Sequence, residues 1–204
     1  IGMIYMINST KKCLVLSLTL FLNSCSFISY NQAIPLIKNA IIGVKDIEIT
    51  EEYYKNINYS FAKMKIGRSA IAILALISVE NGVYEWISES GEKVYTYKGK
   101  IFKTEGIIYN FEIINFRDFS LDGDNAYEID IILDNPLAYS SQSINVTTYQ
   151  EDKNLIAEEN IRTASFRWSY ANKYWLDDKS KVYKSIQRIH PKLPKIEIDY
   201  YYKY

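Results

Sequence analysis

The chain has 204 residues, with 24 basic and 24 acidic side chains, one histidine and a net charge of zero. That balance excludes the basic footprint of a nucleic-acid binder. Hydrophobic residues make up 48% and tyrosines number 19, which is core material for one β-rich domain, since tyrosine suits half-buried strand surfaces.

In chain order, the first element is a leader. Lys11 and Lys12 precede an apolar run, Cys13 to Leu22, which ends in Leu22-Asn23-Ser24-Cys25. A basic start, a short apolar core and small residues are the layout of a secretory signal, here with a thiol at the cleavage site. The segment resembles the lipobox of bacterial lipoproteins, in which the cysteine is lipidated and the signal is cut just before it. A membrane-spanning helix needs about twenty apolar residues, roughly twice this core. The expectation is a lipoprotein signal over residues 1–24, an acylated tether over 25–33 and a single β-rich domain over 34–204, with Met3 or Met6 as initiator. Removing 1–24 leaves 180 residues with 22 basic and 24 acidic side chains, a net charge of −2. No intrachain disulfide is then possible, so the core alone must hold the exported domain.

After the tether, Ile34 to Val44 is apolar and interrupted by Pro35 and Gly43, room for one short helix. Thr50 before Glu51, Glu52 and Tyr53 reads as the N-cap of a second short helix ending near Ile57. Strands are expected from Ser69 onward. Ser69 to Val79 is continuously apolar and ends at Asn81-Gly82, the strongest short-range hairpin signal. Val83 to Ser88 should return antiparallel with Tyr84 and Trp86 on one face. Turns at Glu89–Glu92 and Lys98–Lys100 frame a strand over Lys93 to Tyr97, and Ile101 to Thr104 and Ile108 to Ile114 continue the meander. Tyr127, Ile129, Ile131 and Leu133 alternate with Glu128 and Asp130, a period of two. Ile144 to Tyr149, Ile161 to Tyr170, Tyr174 to Leu176, Val182 to Arg188 and Ile196 to Tyr202 complete the set. The closing tyrosines read as a strand edge or docking tail. Strands at this spacing predict a mainly β fold: a single antiparallel barrel, half-barrel or sandwich-like domain, with one or two short helices near the N-terminus.

Few residues offer chemistry. A Ser-His-Asp hydrolase needs a histidine base, and the only histidine is His190, beside Pro191 and read as a surface turn residue. An acylated Cys25 has no thiolate for nucleophilic catalysis. Zinc needs three or four His, Cys or acidic ligands, and this chain is nearly without the first two. Asp122-Gly-Asp124-Asn125 begins like a calcium loop, but Ala126 breaks the ligand pattern, so a turn is expected and no metal or cofactor. Glycoside hydrolysis needs two carboxylates at a fixed separation, and 24 acids single out no pair. The aromatics suit stacking on sugar rings as well as packing. Trp86 and Trp175 are the candidate glycan contacts, weighed against a role in core or cross-strand packing.

Residues 69–107 combine an apolar strand, Asn-Gly, Trp86-x-Ser88, Gly91, Thr96, Gly99-Lys100-Ile101, Lys103-Thr104 and Gly106. The carboxyl-terminal part adds Asn172, Tyr174-Trp175-Leu176-Asp177, Val182-Tyr183-Lys184-Ser185, Gln187, Pro191 and Pro194. Together these resemble the YjbF/GfcB family, lipoproteins associated with exopolysaccharide and group 4 capsule secretion. The chain departs from the family at Lys100, where arginine is usual, at Ile107, and near Ser180, where a turn glycine is replaced; no chemical role is assigned to these positions. The resemblance implies a non-catalytic envelope lipoprotein anchored through Cys25. Its expected partners are a membrane, met through the acyl chains, and polysaccharide and export-machinery proteins. Ser26, in place of an inner-membrane retention Asp, points to the outer membrane, facing the periplasm. The competing readings are a hydrolase or lyase acting on polysaccharide, and a lipid or lipoprotein carrier.

Overall fold

The structure is a computed structural model that describes residues 50–115, 119–121 and 123–203. The leader, Cys25, the tether, the helix expected within Ile34 to Val44, and Asp122 lie outside the described residues.

Thr50 opens a short helix, α1 (Glu51–Asn56), and the Tyr54 N–H donates to its carbonyl at 3.0 Å. The remainder is β: β1 (Phe61–Ile66), β2 (Ala72–Glu80), β3 (Val83–Ser88), β4 (Lys93–Tyr97), β5 (Lys100–Glu105), β6 (Phe111–Ile113), β7 (Asn125–Leu133), β8 (Ala138–Glu151), β9 (Asn154–Thr163), β10 (Trp168–Leu176), β11 (Val182–Gln187) and β12 (Ile196–Tyr201). Each strand pairs antiparallel with the next, and β12 pairs with both β11 and β1. The meander therefore shuts into one closed barrel, in which none of the described strands is left as an open edge.

Alternation decides which side chains enter the lumen. Ile129, Ile131 and Leu133 of β7, Ile144 and Val146 of β8, and Ile196, Ile198 and Tyr200 of β12 are all buried in it. The outer face carries charged cross-strand pairs, among them Lys93–Glu85 at 2.8 Å and Lys173–Glu158 at 3.2 Å. Phe61 breaks the rule: it is buried outside the lumen core, stacked on Tyr201 at 4.7 Å and covered by Tyr54 of α1 at 6.2 Å.

The barrel is pinched where β5 meets β11, strands that are not neighbours in the sheet. Between β4 and β5 the register slips, with Thr96 opposite Ile101 but Tyr95 opposite Lys103. The Ile101 N–H donates to Oε1 of Gln187 at 2.8 Å, and Gln187 Nε2 donates to the Gly99 carbonyl at 2.9 Å. One side chain thus satisfies backbone groups of the opposite wall.

Several boundaries differ from expectation. β1 was not expected, because Phe61 and Ala62 are both buried and mask its alternation. The stretch Ile161 to Tyr170 is not one strand but the end of β9, a turn over 164–167 and the start of β10. Of Ile108 to Ile114 only Phe111–Ile113 is strand. Tyr200 and Tyr201 are neither edge nor tail: β12 is paired on both sides, and Tyr200 is buried in the lumen, while Tyr204 lies outside the described residues.

His190 is a correction as well: it is buried, not a surface turn residue. Its Nε2 faces the Asp134 carbonyl at 2.9 Å and must donate, while Nδ1 accepts the Lys192 N–H at 3.1 Å. The ring lies stacked on Tyr109 at 4.8 Å, so it joins loops at the barrel end away from α1. A protonated ring could not accept at Nδ1, and burial lowers the His190 pKa below its usual 6.5, outweighing the Asp134 carbonyl. The unfolded chain therefore takes the proton first, and His190 favours the fold above about pH 6.5 but not below it. Urea unfolding should give lower stability at about pH 5.5 than at pH 7.5, with the difference largely removed in His190→Gln, because the carboxylates shifted here titrate below 4.5.

Candidate binding site at one barrel mouth

The turns between β2 and β3, β4 and β5, and β10 and β11 sit at the same end of the barrel as the start of β1 and the end of β12. They enclose a cavity of about 470 Å³, the size of a small-ligand site. Asn81-Gly82 (φ 51° and 79°) and Lys98-Gly99 (φ 49° and 79°) have the two positive φ values of type I′ hairpins. Such tight turns hold their residues close over the mouth. The third turn is set by Asp177, whose Oδ1 accepts the N–H of Lys179 at 2.9 Å and of Lys181 at 2.8 Å. It passes through Ser180 at φ 58°, a left-handed position of the kind that favours the glycine usual in the resembling family.

The walls are tyrosine and lysine. Tyr84, Tyr97 and Tyr202 line the cavity with Lys98, Lys179 and Lys181, and its described lining holds no acidic residue. The Lys181 ammonium stands 3.4 Å from the Tyr202 ring centroid, a cation–π contact. Burial lowers the Lys181 pKa, and Asp177 partly offsets this. Lys98 Nζ donates to the Phe119 carbonyl at 2.9 Å, holding the segment after β6 against the mouth. The rings continue inward: Tyr84 stacks on Trp86 at 6.1 Å, and Tyr202 on Tyr200 at 5.8 Å.

The floor is the pinch. A Cβ on Gly99 would lie 2.5 Å from Cβ of Val182, and the Gly99 carbonyl accepts from Tyr200 Oη at 3.0 Å as well as from Gln187. Beneath it is a buried ion pair, Lys100 Nζ to Glu159 Oε1 at 2.9 Å, with side-chain exposures of 4% and 0%. Tyr127 also donates to Glu159 and accepts from Lys100 at 3.0 Å. Tyr174 donates to Glu159 at 2.8 Å and Asn172 at 3.5 Å. Burial draws the Lys100 pKa down while Glu159 opposes it, and burial pushes the Tyr127 and Tyr174 phenols up. The raised phenols keep Tyr127 and Tyr174 neutral around the pair, and Glu159 offsets part of the cost that burial puts on the Lys100 ammonium.

The two tryptophans chosen from sequence do not meet. Trp86 is fully buried inside, with its indole N–H donating to Thr96 at 2.9 Å, so packing accounts for it. Trp175 alternates with the lumen-facing Tyr174 and lies half-buried on the outer wall, beneath the Lys184 ammonium at 5.3 Å. The mouth lysines and Tyr202 were missed; the lack of acids around them was visible only once distant turns were brought together. Among the described residues no group of three His, Cys, Asp or Glu could hold a metal. Asp124 instead accepts the Thr148 N–H at 3.2 Å.

The family model described as group 4 capsule polysaccharide lipoprotein gfcB, YjbF, matches residues 36–200. By sequence, no curated protein matches the chain. The crystal structure of the hypothetical lipoprotein YmcC from Escherichia coli K12 is similar in fold. Its TM-score is 0.66 at 15% identity, over 88% of this chain and 99% of that one.

Substitutions at Gly99 and Lys100 test the floor. Gly99→Ala adds left-handed strain and a clash with Val182, together about 3 kcal/mol, and should lower the melting temperature by roughly 10 °C. Lys100→Met strands a buried carboxylate and should cost about 3–5 kcal/mol by urea unfolding. Lys100→Arg, restoring the family's usual residue, should cost less than about 1.5 kcal/mol, and Glu159→Gln added to Lys100→Met should recover much of the loss.

Proposed function

The chain belongs to the YjbF/GfcB family of group 4 capsule polysaccharide lipoproteins, and from that membership we propose a non-catalytic accessory role in exporting or assembling a surface polysaccharide. A lipoprotein is a cell-envelope protein. The finer address we propose is the periplasmic face of the outer membrane, with Cys25 as the acylated residue after removal of residues 1–24. Two or more acyl chains give stable anchoring, whereas one is marginal.

The observation that carries this reading is the charged outer wall of the barrel. Strands that cross a bilayer present an apolar band about 25 Å tall. Here Lys103 pairs with Glu105 at 2.9 Å, Lys173 with Glu158 and Lys93 with Glu85 on that wall, which suits a barrel kept in water and tethered by something other than its strands.

The non-catalytic part is supported by the lumen. Lys100, Glu159, Tyr127 and Tyr174 are residue types of an active site, yet Glu159 has no exposure and its oxygens are spent on neighbours within the barrel. The same filled interior, to which every strand contributes a buried side chain, argues for a scaffold over a carrier of apolar cargo.

Metabolic labelling with an alkyne fatty acid should mark the wild-type chain and should fail on Cys25→Ala, which should also move to the soluble periplasmic fraction. Labelling that persists unchanged in the variant would refute the anchor.

A further inference from the structure

We propose that the mouth cavity binds an acidic sugar unit, with Lys181 and Lys179 meeting its carboxylate and Tyr202, Tyr84 and Tyr97 packing against its ring; this assignment rests on the capsule reading above.

Three observations carry it. First, the charge is one-sided: three lysines and no acid line the described cavity, in a chain whose charges balance overall. Elsewhere on the barrel the lysines Lys93, Lys103, Lys173 and Lys195 have glutamate partners within 4 Å. Lys179 and Lys181 have no such partner among the described residues, and Lys181 rests on a ring instead. Asp177, the acid that acts on Lys181, spends Oδ1 on the backbone N–H groups of Lys179 and Lys181. An ammonium held over a ring, half-buried and with Asp177 acting on it only from beyond ion-pair distance, is set up to receive an anion.

Second, the walls suit a saccharide. Tyrosine rings offer flat apolar faces to the C–H face of a pyranose and hydroxyl tips to its hydroxyls. The Tyr84 and Tyr202 rings meet edge-to-face at 5.7 Å, which makes a corner rather than a flat plate. The cavity, about 470 Å³, has room for one or two sugar rings. A bilayer surface presents its charge to a projecting basic face, not to a concave one.

Third, the site is preformed. Its floor is locked by the Gly99–Val182 approach and by the Gln187 and Tyr200 bonds to the Gly99 carbonyl, so little ordering remains to be done on binding.

The test is calorimetric titration of the full lipidated chain in detergent with a galacturonic acid trimer, its fully methyl-esterified form, and glycerol 1-phosphate as a soluble lipid headgroup. The proposal expects binding of the acid trimer, at least tenfold weaker binding of the ester, and loss of about tenfold in affinity with Lys181→Gln. Lys179→Gln should lose severalfold, and serves as the second variant should Lys181→Gln fail to fold by circular dichroism. Equal affinity for acid and ester, no binding of the acid trimer, binding indifferent to both lysine variants, or binding of glycerol 1-phosphate alone would each overturn it. Returning the genes to a deletion strain separates the two readings. Surface polymer restored by wild type but not by Lys181→Gln supports the site. Restoration by both overturns the site and leaves the accessory role standing. Failure of wild type itself, with trimer binding intact, removes the accessory role and keeps the site.

Discussion

The ion pair between Lys100 and Glu159 is the constraint around which the barrel is arranged. An ammonium and a carboxylate placed in an apolar lumen lose several kcal/mol of hydration each, which their attraction recovers only with good geometry and every remaining lone pair satisfied. The barrel meets both conditions with tyrosines. Tyr127 and Tyr174 present hydroxyls to Glu159, while the Tyr127 and Phe119 rings lie 5.2 Å and 5.3 Å from the Lys100 ammonium. The high tyrosine content, which reads from sequence as strand surface, thus has a second use as the neutral hydrogen-bonding lining of a charged core.

This network also explains the shape. A twelve-stranded ring left round would enclose an open channel. Gln187, reaching from β11 to the backbone at the start of β5, draws opposite walls together and turns the channel into a packed interior with a cavity at its mouth. The Gly99 carbonyl is open to two side-chain donors because Gly99 is a turn residue, outside the ladder that begins at the Tyr97–Lys100 pair. The cavity above it is consequently the top of a rigid column rather than the entrance to a pore.

How much of this was legible in the sequence follows the range of the interactions. Asn81-Gly82 and Lys98-Gly99 declare their hairpins locally, because only a few residues accept two successive positive φ values, and β7 declares itself by alternation. The turn at Ala164-Ser165-Phe166-Arg167 contains no Gly, Pro, Asn or Asp, so β9 and β10 read as continuous. Closure through β1 and β12 joins residues about 140 positions apart, a pairing that no local pattern encodes. The candidate site was the least legible. Lys100 stood out as a departure from the family, but its partner lies 59 residues away. The mouth lysines come from two distant turns, Lys98 from one and Lys179 and Lys181 from the other, which only the folded barrel brings together.

The two walls of the barrel are joined through the lumen, and the amide of Ile101 reports on that join directly. Its acceptor is not a strand carbonyl but the Gln187 side chain of a strand across the barrel. Native-state hydrogen exchange should find this amide as slow as those at the centre of β7 and β8, opening only with global unfolding. Exchange at the rate of a solvent-exposed turn, with β7 and β8 still protected, would mean that the walls stand apart and that the cavity has no fixed floor.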